Sequence, residues 1–399
     1  MRILIAHNHY QVKAGEDVVV EAEMSLLKSH DHAIAVLEAD NQSIKGAIGK
    51  AKAAASVVYS FESKQRLQER IQQFRPDIVH VHNFFPILSP SLYDACSEAK
   101  VPVVQTLHNY RIICPSANLF RDGKVCETCM GKTVPLAGIV HRCYRDSLPE
   151  SLAIATMIAI HNIRRTWHEK VDAYITLTSF QKAKMEQIGL PSHKIHVKPN
   201  FLFDPVILPP SQSDRYALYV GRLWSEKGIT TLIDAYITQN IQIPLKIVGD
   251  GILKDSLQQQ VQRAGLSHRI EFLGWQKKPE VLALMQKAQF LIFPSVWYET
   301  FGLSMIESFA CSVPVIASRL GGIAEIVEDR QTGLLFEAGN PQDLAEKINW
   351  AIAHPERMLA MGRKARSTYE QHYTPETNYR QLMSIYEKVI RRSNNKTQQ

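Results

Sequence analysis

The stretch FLIFPSVWYETFGLSMIESFACSVPVIAS, residues 290–318, decides the fold. Its first six residues are apolar almost without a break, and PVIAS at the end is rich in β-branched side chains. Both read as buried strands. Between them GLSMIESFACSV has apolar residues at helical spacing, so the whole reads strand, loop, helix, strand. A helix linking two buried strands is the unit from which parallel α/β sheets are made.

The same alternation runs in both directions from there. Towards the N-terminus of the second half come YALYVG (216–221), PLKIVGDG (244–251) and IEFLG (270–274), and beyond the opening stretch comes GLLFE (333–337). The first half repeats it with RILIAH (2–7), IAVLE (34–38), DIVHVHN (77–83), PVVQTLHN (102–109) and AYITLTS (173–179). The expected class is therefore α/β, with doubly wound parallel sheets covered by helices on both faces. PNFLFDPVILPPSQSD (199–214) has four prolines and no helical period, which marks a linker. The chain divides into a domain over 1–200, a domain over 201–373, and a C-terminal helix with a polar tail over 374–399. Thr374 and Pro375 supply a helix cap and a first helical residue.

Composition narrows the class. The chain has 399 residues, 45% of them hydrophobic and 21% charged, enough apolar material for two cores and too ordinary for a disordered or fibrous protein. The formal charge of +7 is spread along the chain with no basic helix or aromatic-basic pattern, so no nucleic-acid partner is expected. The apolar run after Met1 is short for a secretion signal and reads as a first strand. SLAIATMIAIHNIRRTW (151–167) is too short to span a bilayer. Six cysteines with no secretion signal point to a reducing compartment, and residues 151–167 can touch a membrane without crossing it.

Several loops carry chemistry. YVGRLWSEKGI (219–229) ends a strand and delivers Arg222 and Lys227 to a loop and helix start, where cations can meet an anionic ligand; an exposed, salt-bridged loop is the plainer reading. Gly249, Asp250 and Gly251 end another strand without the third glycine of a dinucleotide fingerprint, and a tight turn capped by Asp250 explains them equally well. In the opening stretch Glu299 falls in the loop and Glu307 in the helix. Eight helical residues span about 12 Å, too far for an acid/base pair sharing one proton path. The amides near Phe301, Gly302 and Leu303 lie at the helix start, and Gly302 would admit a close ligand. Cap and surface charge are the structural alternatives for the two glutamates.

Cys114, Cys126, Cys129 and Cys143 form C-x11-C-x2-C-x13-C in a cysteine-rich insertion over about 110–147, with RDGK as a hairpin turn between the first two. Four thiols at this spacing suit a structural zinc; separate buried thiols and a redox pair are the alternatives. Cys96 and Cys311 read as core residues.

Taken in order, VGRLWSEKG, Glu299 and Glu307 separated by seven residues, and SRLGGIAEIVEDRQTGLLFEAGNPQDLAEKI resemble the retaining, nucleotide-sugar-dependent glycosyltransferases of family 4 (glycosyltransferase group 1) over nearly the whole chain. The resemblance implies the GT-B fold, two Rossmann-like domains facing across a cleft. It implies that Glu299 contacts the donor sugar, Glu307 the ribose hydroxyls, and Arg222 and Lys227 the diphosphate. It places Gly15, in AGEDVVVEAEM (14–24), in the loop beneath the donor phosphates, although Ala14 stands where many relatives have a second glycine. His108 in LHNY matches the histidine that approaches the sugar's reacting region, and Asn200 in KPNF matches an asparagine near the cleft; a structural histidine and a turn residue are the plainer readings. The first domain would serve the acceptor and the second the donor.

The implied reaction moves a sugar from a UDP- or GDP-linked donor to a glycan or lipid-linked acceptor, with retention, in cell-surface polysaccharide or lipopolysaccharide biosynthesis. It needs no cofactor for catalysis. An epimerase or glucan synthase of the same fold, or a noncatalytic nucleotide-sugar-binding protein, are the alternatives.

Overall fold

The structure, a computed structural model, describes residues 1–9, 15–41, 46, 49, 56–205 and 216–397. The chain separates into two compact units. One comprises Met1–Leu119, Cys126–Pro199 and the chain from Asn378 onward; the other comprises Phe120–Val125 and Asn200–Thr377. Most of the proline-rich linker, residues 206–215, lies outside the described residues.

The elements of the first unit run β1 (Arg2–His9), α1 (Gly15–Ser29), β2 (Ala33–Asp40), α2 (Phe61–Phe74), β3 (Ile78–Asn83), α3 (Ser91–Glu98) and β4 (Val103–Thr106). After β4 come β5 (Phe120–Arg121) and β6 (Lys124–Val125), which count with the second unit, and then, again in the first, α4 (Leu136–Val140), α5 (Leu148–Ile163), α6 (Thr166–Glu169), β7 (Ala173–Thr176), α7 (Ser179–Gln187) and β8 (Ile195–Val197). The second unit continues with β9 (Ala217–Val220), α8 (Ile229–Thr238), β10 (Leu245–Val248), α9 (Lys254–Arg263), β11 (Ile270–Gly274), α10 (Lys278–Lys287) and β12 (Phe290–Phe293). It closes with α11 (Leu303–Ala310), β13 (Val315–Ser318), α12 (Ile323–Ile326), β14 (Gly333–Phe336), α13 (Pro341–Ala353) and α14 (Pro355–His372), before α15 (Pro375–Thr397).

Two six-stranded sheets carry these elements, in the orders β2-β1-β3-β4-β7-β8 and β11-β10-β9-β12-β13-β14. Every pairing in them is parallel. In each sheet the order reverses direction once, between β1 and β3 in the first and between β9 and β12 in the second. In open α/β sheets the crevice beyond the carboxyl ends of strands at such a reversal is where ligands bind.

The strands form where the sequence is continuously apolar because helices cover both faces. Leu291, Ile292 and Phe293 of the opening stretch are buried, and β12 aligns Leu291 with both Val315 of β13 and Leu218 of β9. In the first unit Ile3, Ile5, Ile78, Val104 and Ile175 meet Val20 and Leu27 of α1 and Leu382, Ile385, Tyr386 and Val389 of α15. Helix starts are set by short polar side chains: Ser60 Oγ accepts from Ser63 N, Ser147 from Glu150 N, Thr178 from Gln181 N, and Thr374 from Thr377 N. The expected strand PVVQTLHN ends early, at Thr106. Leu107 still donates its N–H to Ile175, but Gln181 Nε2 takes its carbonyl at 2.8 Å and the chain leaves the sheet before His108.

Candidate functional site

At the reversal of the second sheet two neighbouring strands present the residues singled out from sequence. β9 runs into Gly221 and Arg222, a 3-10 turn over Ser225–Lys227 follows, and α8 begins after Gly228. β12 runs into Pro294 and Ser295, and the loop from there reaches Glu299. Val296 N donates to Glu226 O at 3.0 Å and ties the two loops together.

Across them Lys227 Nζ donates to Glu299 Oε1 at 2.6 Å, and Ser295 Oγ donates to the same oxygen at 2.6 Å. Glu299 is 4% exposed. A carboxylate this deep is tolerable only because the ammonium and the hydroxyl compensate it. The Lys227 ammonium also stands over the Trp297 ring, 5.1 Å from its centroid. Arg222 is held more loosely, 3.7 Å from Glu226 and 5.2 Å from the Trp224 ring, with its side chain 59% exposed. One cation is therefore committed to a buried carboxylate and the other stands near the surface.

Glu307 has a different partner. It lies on α11, where Lys278 at the start of α10 forms an ion pair with it. The two glutamates belong to separate charge pairs, so they do not form an acid/base couple. No side chain caps the start of α11. At Gly302, the residue before it, a Cβ would come within 2.4 Å of Met305 Cε and 3.0 Å of Phe293 Cζ. Met305 and Phe293 therefore pack where a side chain at position 302 would project, and Phe301 beside it is buried.

Gly249 has φ +137°, and a Cβ on it would lie 1.9 Å from the carbonyl oxygen of Gly221. Only glycine lets the β10 exit pass so close to the β9 exit. Asp250 is exposed and locally occupied: Oδ1 accepts from Gly251 N at 2.8 Å and Oδ2 from Lys254 Nζ at 2.9 Å. Chiefly the Lys254 contact, then the Gly251 N–H, lowers its carboxyl pKa. Sequence reading missed Ser295, Trp297 and Lys278; the first two were legible only as members of the same loop, and Lys278 gave no signal.

In the first unit Gly15 is the exposed first residue of α1, and the loop before it lies outside the described residues. Asn200 is buried just after Pro199, whose carbonyl accepts from Asn378 Nδ2. His108, partly buried beyond β4, has Nε2 3.0 Å from His82 Nδ1. His82 Nε2 lies 3.2 Å, and His80 Nδ1 3.3 Å, from Glu23 Oε1, while Glu23 Oε2 accepts from the buried Lys198 ammonium at 2.9 Å. Nearby, His7 Nε2 and His9 Nδ1 lie 2.9 and 3.2 Å from Asp17 Oδ1. Glu23, His80 and His82 form one set of potential ligand atoms within 4.8 Å of one another, and His7, His9 and Asp17 form another. The ammonium already bound to Glu23 favours a hydrogen-bond network over a metal ion there. The HxH of DIVHVHN was the available signal, since residues two apart in a strand share a face.

The four cysteines of the insertion are free thiols. Cys114 and Cys129 are buried, Cys126 and Cys143 partly so. Burial, with Cys114 and then Cys143 and Cys126 nearby, pushes the Cys129 thiol up to about 11. The donor set fits zinc in its chemistry and in its convergence on one thiol. Among the described residues, however, the two clusters of ligand atoms within 4.8 Å are the histidine-carboxylate ones, so the four sulfurs do not form a closed ligand set.

Comparison with known proteins gives the following. The family model for Glycosyltransferase Family 4 matches residues 44–202, and that for Glycosyl transferases group 1 matches residues 203–368. An uncharacterised glycosyltransferase of Methanocaldococcus jannaschii is 38% identical over 174 residues, 44% of this chain and 48% of that protein. The match thus spans about half the length of that relative. The N-acetyl-alpha-D-glucosaminyl L-malate synthase of Bacillus anthracis is 24% identical over 340 residues, covering 84% of this chain and 81% of that one. The crystal structure of HepE from Anabaena in complex with UDP superposes with a TM-score of 0.69 at 20% identity, covering 98% of this chain and 100% of that one.

Proposed function

The chain belongs to the glycosyltransferases of group 1, family 4, with the GT-B fold, and we propose that it transfers a sugar, with retention, from a nucleoside-diphosphate donor to a hydroxyl of a glycan or lipid-linked acceptor. The observation that carries the proposal is the Lys227–Glu299 pair beside the exposed Arg222 at the reversal of the second sheet. In the reaction the bond from the anomeric carbon to the diphosphate oxygen breaks and the acceptor oxygen bonds to that carbon on the same face. The acceptor proton passes to the departing phosphate, so no side chain is assigned as general base.

What the protein supplies is electrostatic. Arg222 offers a forked set of donors for phosphate oxygens. Lys227 offers a point charge already oriented by Glu299. The uncapped first turn of α11 adds backbone N–H groups. Lys227 and Ser295 both use Oε1 of Glu299, which leaves Oε2 to accept from sugar hydroxyls. Glu307 serves the ribose, releasing the half-exposed Lys278. With these cations in place the transfer needs no metal.

An acceptor carried on lipid is supported by the surface. Of the fifteen exposed large hydrophobic side chains among the described residues, six lie between Val134 and Ile163, on and around α4 and α5. Arg142, Arg145 and Arg165 accompany them. Such a surface can rest on an anionic bilayer, and no helix among the described residues is long and apolar enough to cross one. This favours a peripheral position on the cytoplasmic face, in the assembly of a cell-surface polysaccharide.

The test is a binding and turnover screen of uridine- and guanosine-diphosphate sugars, with and without anionic vesicles. UDP sugars come first, since HepE was crystallised with UDP. One donor should bind tightly and be consumed only when an acceptor hydroxyl is supplied. Failure of every donor to bind, or release of epimerised donor without acceptor, would sink the proposal.

A further inference from the structure

Each of the two cations at the reversal of the second sheet stands over an indole, in different surroundings. Arg222 Cζ lies 5.2 Å from the ring centroid of Trp224, which is 38% exposed; Lys227 Nζ lies 5.1 Å from that of Trp297, which is 8% exposed. The attraction of a cation to an aromatic face grows as water is excluded. Trp297 is therefore the ring able to hold its cation in place, whereas water also reaches Arg222.

The backbone brings the parts together from two sides. Gly228, at φ +66°, passes so close to the exit of β12 that a Cβ on it would lie 1.8 Å from the Pro294 carbonyl oxygen. Only glycine fits there, and its position fixes the root of the Lys227 side chain. Opposite, Glu299 N donates to Trp297 O at 2.9 Å, so one tight turn presents the Trp297 ring and the Glu299 carboxylate together. The carboxylate takes one N–H of the ammonium at 2.6 Å. An ammonium has three, and on a single hydrogen bond it can still turn. The ring supplies the second point of attachment.

Tryptophan is a costly residue at this position. Its Nε1 is buried and has no hydrogen-bond partner among the described residues. A buried N–H left alone lowers stability, and phenylalanine would bring none. What indole adds is its face, which attracts a cation more strongly than a phenyl ring does. We propose that Trp297 is a positioning residue of the transfer reaction, whose ring acts with Glu299 to hold the Lys227 ammonium where the diphosphate departs. This rests on the reading of Lys227 as a cation that faces the donor phosphates. The ring carries no formal charge, so it orients the ammonium without competing with phosphate for it as a second carboxylate would.

The test replaces all five tryptophans of the full chain with increasingly fluorinated tryptophan, which withdraws electron density from the ring and nearly keeps its shape and its N–H. Turnover should fall stepwise along the series, by about twofold to thirtyfold in kcat, with the melting temperature and the KM for donor changing far less. In Trp297→Phe the rate should be low at the outset and indifferent to fluorination of the other tryptophans. A rate that ignores fluorination, or a dependence that survives in Trp297→Phe, would overturn the proposal. A second measurement needs no turnover. With lysine labelled by carbon-13 at Cε, the Trp297 ring current should move the Lys227 signal, identified by its loss in Lys227→Met, upfield, and Trp297→Leu should return it to the ordinary position. An unshifted signal in the wild type would overturn the contact itself. Should Trp297→Phe not fold, the wild-type fluorination series and Cε signal decide the matter. A wild type that consumes no donor would overturn the reading of Lys227 instead, and a shifted Cε signal in it would still uphold the placement of the ammonium by Trp297.

Discussion

At the scale of single residues, Lys227 has two duties that can be separated. It neutralises a buried carboxylate, and in the proposed reaction it faces the leaving diphosphate. Lys227→Ala should cost about 3–5 kcal/mol of stability by leaving the buried Glu299 with no opposite charge and only the Ser295 hydroxyl. It should also lower kcat/KM about 10²- to 10³-fold. Lys227→Met combined with Glu299→Gln should recover most of the melting temperature and none of the turnover; joint recovery would show that the loss of activity was only a loss of folding. Glu307→Gln, by contrast, should leave stability nearly unchanged and weaken nucleotide binding about tenfold, measured by titration calorimetry. Unchanged affinity would remove Glu307 from the ribose. The residue types were legible in the sequence because strand ends are recognisable and charges there stand out. The pairings were not, since Lys227 and Glu299 are 72 residues apart and only the strand order makes their loops neighbours.

At the scale of elements, the cysteine insertion was partly legible. RDGK forms the two-residue hairpin between β5 and β6, with Asp122 at φ 52° and Gly123 at φ 76°, the left-handed pair such a turn requires. What spacing could not supply was the sulfur geometry. We expect about one zinc per purified chain by elemental analysis, because burial and the neighbouring cysteines hold the Cys129 thiol up at about 11 without a metal, and a metal shared by the four thiols would draw its proton off. Cys129→Ser should then abolish the bound zinc and lower the melting temperature. A wild-type protein free of zinc after metal-replete expression would leave the four as separate buried thiols. β8 escaped the sequence reading for a simpler reason: three residues, Ile195–Val197, are too few to show a period. The long apolar runs that became β1, β3, β9 and β12 had no such difficulty, and they were enough for the fold.

At the scale of the whole molecule, buried neutral imidazoles make stability depend on pH. His82, His108, His161 and His196 all have pKa values lowered first by burial. In the unfolded chain each would take up a proton near its ordinary pKa of about 6.5. Below that pH the unfolded state binds more protons than the folded one, so stability falls as pH falls, by about 1.4 kcal/mol per unit for each fully retained neutral histidine. Glu23 has the opposite chemistry but adds to the loss only lower down, as pH falls through its depressed folded value. The melting temperature should therefore drop between pH 7 and pH 5, and the drop should be shallower in His82→Gln; equal slopes would exclude His82 as a contributor. The division into two sheets was legible from sequence. That the last helix completes the core of the first sheet is a tertiary fact that its own periodicity could not contain. This has a consequence for synthesis. As the ribosome releases the chain, the first unit must wait for Leu382, Ile385 and Tyr386 before its sheet is covered, by which time nearly all of the second unit has already emerged. The unit encoded first is thus the one finished last, and a truncation before Asn378 would strand it half-built beside a sound neighbour.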